Sequence, residues 1–150
     1  FSLFMVKLLT LSKKEIKKIN LENNLNINLK SLVKLIDDFY LSVDNNILFF
    51  KYNNNFIPSL KSDLMNLKTV TIDMPAVPFI CKGADLMKPG IVELDDFEKD
   101  EFVAIIDEKN KKAISICIAL FSSNDIKNMS SGKGLKNIHH IGDKIWSFNN

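Results

Sequence analysis

The sequence predicts an α+β protein in two parts, a small α/β layer over residues 1–72 and a small closed β-barrel over residues 73–150. Three observations lead there. In the first half, short apolar runs alternate with Asp and Asn clusters, residue types that tolerate the positive φ of hairpin turns. In the middle, Lys82-Gly83-Ala84-Asp85-Leu86-Met87-Lys88-Pro89-Gly90-Ile91 sets one short helical turn between two glycines and closes it with Pro-Gly, between apolar runs at residues 77–81 and 91–94 that read as strands. After it come five or so strand-length runs with few helices among them, the pattern of a small barrel.

Taken in order, residues 5–11 are short and apolar and end at Ser12-Lys13-Lys14-Glu15, where Ser12 can cap a helix and Glu15 can return the bond. Ile16, Ile19 and Leu21 are expected to face inward, with Lys13, Lys14, Lys17 and Lys18 on the solvated side, until the asparagines from Asn20 to Asn28 break the pattern. Those lysines read first as a wet helix face, and second as an RNA or ribosome contact. Strand-like runs follow at residues 32–36, 39–43 and 47–52, separated by Asp37-Asp38 and Asp44-Asn45-Asn46 and followed by Asn53-Asn54-Asn55. Phe56-Ile57-Pro58-Ser59-Leu60 leads into an expected short helix over residues 60–67, residues 69–72 resume a strand, and Asp73-Met74-Pro75 is the expected seam.

Beyond the central turn, residues 93–101 form an acidic loop, residues 102–107 a strand, and residues 113–121 the longest apolar run. Ser122-Ser123-Asn124-Asp125 caps a short helix through Met129, and Ser130-Ser131-Gly132-Lys133-Gly134 is a turn. Two last strands are expected at residues 135–141 and 144–148, joined at Gly142-Asp143.

Composition narrows the chemistry. The chain is 46% hydrophobic and 25% charged, enough to bury an ordinary core. All 20 basic residues are lysine, so any phosphate contact is made by a point-charge ammonium and never by a bidentate guanidinium. Residues 1–72 carry +4 and residues 73–150 carry −2, which argues against an extended duplex footprint on the second half. Cys81 and Cys117 both lie in apolar runs and read as reduced, buried thiols of a cytoplasmic protein. The apolar start lacks the basic flank and the cleavage site of a signal peptide, and no membrane span is expected.

No catalytic constellation emerges. The adjacent pair His139-His140 points to opposite faces of a strand, so at most one could serve a given site. A zinc site drawing on Cys81, Cys117, His139 and His140 lacks the close paired spacing such sites show. Gly132-Lys133-Gly134 lacks the spacing of a phosphate-binding loop.

Together, the stretch from Lys82 to Ile91 and the ending Gly132-Lys133-Gly134-Leu135-Lys136-Asn137-Ile138-His139-His140-Ile141-Gly142-Asp143-Lys144-Ile145-Trp146 resemble a PUA domain, the module named for pseudouridine synthases and archaeosine transglycosylases, over residues 73–149. Val43-Asp44-Asn45-Asn46-Ile47-Leu48-Phe49-Phe50 and Phe56-Ile57-Pro58-Ser59-Leu60 resemble the domain that precedes PUA in the malignant T-cell-amplified-sequence family of translation factors and its archaeal relatives. The resemblance implies a pre-PUA α/β domain followed by a PUA pseudo-β-barrel, with no enzymatic activity and no cofactor. It implies a factor of translation initiation, reinitiation or recycling that meets tRNA at its acceptor end, or rRNA, on the small ribosomal subunit, with a density-regulated-protein-like factor as partner.

The resemblance also implies an RNA groove along Lys82, Gly83, Ala84, Asp85, Met87, Lys88, Pro89 and Gly90, with Cys117, Lys144 and Trp146 beside it. Gly83 and Gly90 would let a sugar-phosphate strand approach the backbone, and Lys82 and Lys88 would neutralise phosphate. Cys117 stands where the family commonly has a glycine, and is expected to narrow the groove. Two alternatives come from other classes: an RNA-targeting module acting with an RNA-modifying enzyme, and a protein-interaction adaptor.

Overall fold

The computed structural model describes residues 6–148, which form two compact units, the first running to Ser62 and including Phe148, the second spanning Asp63–Ser147. The apolar start through residue 5 lies outside the described residues. No helix among them is long and apolar enough to cross a membrane.

The first unit is an antiparallel meander of β1 (Leu8–Thr10), β2 (Val33–Ile36), β3 (Tyr40–Val43), β4 (Asn46–Tyr52) and β5 (Asn55–Pro58), in that spatial order, with helix α1 (Lys13–Asn23) between the first two strands. Its turns are where the Asp and Asn clusters place them. Asp37-Asp38, Asp44-Asn45 and Asn53-Asn54 each put two successive residues at positive φ, which matches the twist of the flanking strands. Helix α1 opens with the expected capping box, the Glu15 N–H donating to Ser12 Oγ at 3.2 Å and the Ser12 N–H to Glu15 Oε1 at 2.9 Å, and ends at Asn24 with φ 53°. Ile16 is buried among Ile27, Val33, Leu41, Val43 and Phe56. Two expectations fail here. Leu21 is 85% exposed, because at 100° per residue it falls on the lysine side of the helix. Residues 60–67 form turns instead of a helix, anchored at the buried Ser59, whose Oγ donates to the Ile47 carbonyl at 2.8 Å.

The second unit is a six-stranded sheet. Its strands are β6 (Lys68–Ile72), β7 (Leu86–Met87), β8 (Ile91–Leu94), β9 (Phe102–Asp107), β10 (Ala113–Ala119) and β11 (Lys133–His140), in the spatial order β7-β11-β10-β9-β6-β8. All neighbours are antiparallel except β6 and β9. The edges β7 and β8 are joined by only Lys88–Gly90. A flat sheet would hold its edges about 24 Å apart, whereas that link spans at most about 14 Å, so the sheet curls into a half-barrel. Val70, Ile72, Val103, Ile105, Cys117 and Leu135 fill its core. The strand expected to end the first half is thus β6, bonded on both sides within the second sheet.

Three other segments depart from expectation. Residues 77–80 are helix α2 (Val77–Ile80), not a strand, while Leu86–Met87 is a strand, not a helical turn. Asp73 caps a 3-10 turn over Met74–Ala76, and the fixed φ of Pro75 and Pro78 starts the helix. Gly83, at φ 97°, stops it. Lys144–Ser147 is helix α4, not a strand, since Asp143 Oδ1 accepts the Trp146 N–H at 2.8 Å as an N-cap does. Helix α3 (Ser123–Asn128) begins at its expected cap, Ser122.

Candidate nucleic-acid interface

The turn after α2 is fastened to β11 by one side chain. The Asn137 amide donates to the Ile80 and Ala84 carbonyls, both at 3.0 Å, and its Oδ1 accepts from Ser115 Oγ at 2.8 Å. Its backbone N–H donates to Asp85 Oδ1 at 2.9 Å. The β10–β11 pairing slips between Ile116 and Cys117, a bulge that re-aims the chain beside the turn. Residues 80–85 are therefore held by strand β11 through polar contacts, with the turn's backbone left at the surface.

Around that turn stand charged and aromatic groups. Phe79, on α2, is 66% exposed, and Lys82, also exposed, follows one turn later. Asp85 Oδ2 pairs with Lys133 Nζ at 2.8 Å. Partial burial pushes the Asp85 carboxyl up, but the Lys133 ammonium, the Asn137 N–H and the charge of Lys136 outweigh it and hold the group below the usual carboxylate range. Gly83 lies against His140: a Cβ there would stand 3.2 Å from His140 Nε2. The other ring nitrogen, Nδ1, is 2.9 Å from the Ile141 carbonyl, which can only accept, so Nδ1 carries a proton.

Asp143 binds the end of β11 to α4. Its Oδ2 accepts the His140 N–H and meets Nδ1 of the buried His139, each at 2.9 Å. Burial raises its pKa, while the Trp146 N–H, the His139 ring and the His140 N–H lower it further, and the balance lies below the usual range. Lys144 is exposed and Trp146 half-buried on α4.

The structure sorts the expected site residues. Lys82, Gly83, Ala84, Asp85 and Met87 lie on the turn and the edge strand it feeds, and Pro89 is exposed on the link beyond. Three others serve the fold. The Lys88 ammonium donates to the carbonyls of Ile126, Lys127 and Met129 at 3.0–3.1 Å, closing the C-terminal end of α3 with all three of its protons. Gly90 faces Ala76, whose Cβ would be 3.0 Å from a Cβ there. Cys117 is fully buried in the core, where burial pushes its thiol up to about 12, so it borders no surface groove.

Phe79, Lys133, Lys136, Asn137 and His140 were absent from the expected set. An aromatic and a lysine three apart face the same way only on a helix, so reading residues 77–81 as a strand hid Phe79. Asparagine in mid-strand is itself a signal, because strands are depleted in it.

The PUA domain family model matches residues 68–141. The uncharacterized protein MJ1432 of Methanocaldococcus jannaschii is 38% identical over 92% of this chain and 94% of its own. Translation machinery-associated protein 20 of Saccharomyces cerevisiae is 33% identical over 78% of this chain and 71% of its own. Among solved structures, the hypothetical protein PH0734.1 from Pyrococcus horikoshii superposes with a TM-score of 0.78 at 30% identity, covering 96% of this chain and all of that one. Sequence and fold agree over nearly the whole length: the chain belongs to the PUA-domain family that includes these archaeal proteins and Translation machinery-associated protein 20.

Proposed function

We propose that the protein is a non-enzymatic RNA-binding factor of the translation machinery, one that takes the single-stranded acceptor end of a tRNA, or an equivalent rRNA strand on the small ribosomal subunit, along α2, the Gly83 turn and β11. One observation carries this reading: an exposed phenyl and an exposed ammonium stand one turn apart beside a glycine turn whose backbone is pinned from behind by Asn137. Phe79 offers a face for a base to stack on. Lys82 meets the phosphate, and Gly83 lets the sugar-phosphate chain approach the backbone. Lys136 and Lys144 add positive charge at β11 and α4. The kinship with Translation machinery-associated protein 20 supports the translational setting.

The test is binding of the protein to a deacylated tRNA and to the same tRNA without its 3′ single-stranded end, at two salt concentrations, with Lys82→Glu alongside. The expected result is loss of affinity on trimming the end and on the substitution. Equal and steeply salt-dependent binding to both RNAs would point to a diffuse lysine contact and overturn the groove. No binding at all would remove direct tRNA recognition and leave docking through a protein partner, such as a density-regulated-protein-like factor. Copurification with an RNA-modification complex instead of small subunits would favour the targeting-module alternative.

A further inference from the structure

Helix α1 carries its lysines in an arrangement unfavourable for its own stability. Lys13 and Lys14 occupy its first two positions, where the helix dipole is positive and acids are preferred. Lys17 and Lys18 follow at i+4, so two like-charge pairs lie one above the other. The only acid in the first turn, Glu15, is held by the capping box. Glu22, one turn past Lys18, makes no ion pair among the described residues, and neither does any of the four lysines. At 100° per residue the four span a face about 140° wide, all of them exposed, while Ile16 faces the core on the other side.

We propose that this lysine face is a docking surface for the phosphate backbone of a structured RNA. Four exposed ammonium groups on one helix, none of them in an ion pair among the described residues, suit a contact made by charge and spacing and blind to base sequence. The phosphates supply the counter-charge that the fold withholds. The surface belongs to the first unit, and the proposal does not rest on the reading of the second unit's face.

The experiment measures binding of the full chain to a blunt-ended RNA hairpin, which has no single-stranded end, across a salt series. Changing Lys13, Lys14, Lys17 and Lys18 together to Gln is expected to weaken binding about tenfold or more at low salt and to reduce the slope of log affinity against log salt by about 3. The same variant is expected to melt no lower than the parent, and up to about 4 °C higher, since it sheds repulsion. A control changes Lys109, Lys111 and Lys112, exposed on the β9–β10 turn, to Gln. A slope change below about 1, or an equal loss in the control, would overturn the proposal. So would poly-glutamate, a polyanion without phosphate, binding the face as tightly as the hairpin at equal charge. The trimmed and untrimmed tRNAs, run in parallel, read the second unit's face, so that the two surfaces can each fail alone.

Discussion

Asn137 makes four hydrogen bonds from the middle of a strand, and three of them use its side chain. Asn137→Ala strands the Ile80 and Ala84 carbonyls and the Ser115 hydroxyl, and should cost about 2–3 kcal/mol in urea unfolding; it should also loosen the Gly83 turn and weaken RNA binding beyond that loss of stability. A stability change under about 0.5 kcal/mol would show that water replaces the amide without penalty. Gly83→Ala combines a φ of 97° with a methyl 3.2 Å from His140 Nε2, so about 1–2 kcal/mol of destabilisation is expected in the same assay. Asp143 and Asp85 have lowered folded-state pKa values. Each therefore adds stability that is present above the unfolded carboxylate value of about 3.9 and is lost as pH falls through the lower folded value. Asp143→Asn keeps an N-cap residue but removes one of these charges, so its stability should fall less steeply than the parent's as pH drops below about 4. Identical acid limbs would assign the acid sensitivity elsewhere. At this scale the sequence was partly legible: Lys82 and Gly83 stood out by residue type, whereas the contacts of Lys88 with α3 and the burial of Cys117 depend on partners 20 to 41 residues away and leave no local mark.

Elements were legible wherever a single residue type forces the backbone. The capping box located α1, and the paired Asp and Asn residues located three hairpins, because few other residues accept successive positive φ angles. Asn54, at φ 64°, provides the check. Asn54→Val should destabilise the protein by about 1–2 kcal/mol, since a β-branched side chain pays the left-handed penalty, while Asn54→Gly should be neutral or stabilising. If both substitutions were neutral, the turn would not be setting the β4–β5 register. Legibility failed for short apolar runs. Residues 77–80 are too few for a period of 2 and a period of 3.6 to differ, and the deciding information was Pro78, which cannot sit in a central strand. The same holds for residues 144–147, where Asp143 reads equally as a hairpin residue or as the cap of α4.

At the scale of the whole molecule, the expected seam after residue 72 and the observed division between Ser62 and Asp63 make different demands on a cut chain. Strand β6 lies between them. It pairs in parallel with β9 and antiparallel with β8, and its Val70 and Ile72 are fully buried. It therefore joins the edge strand β8 to the rest of the sheet, and through the Lys88–Gly90 link it holds the curl that brings β7 and β8 together. A domain of this size has about 5–10 kcal/mol of stability in all, and losing two buried β-branched side chains would alone remove about 3 kcal/mol or more, before counting the ladder bonds left open on both neighbours. A fragment covering residues 63–147 is accordingly expected to unfold cooperatively on heating, with a near-ultraviolet signal from the packed Trp146. A fragment beginning at residue 73 should show neither cooperativity nor that signal. Folding of the shorter fragment would put the boundary at Asp73 and make β6 an accessory of the first unit. Failure of both would mean that neither cut releases an autonomous unit and that the two units of the chain fold only as one.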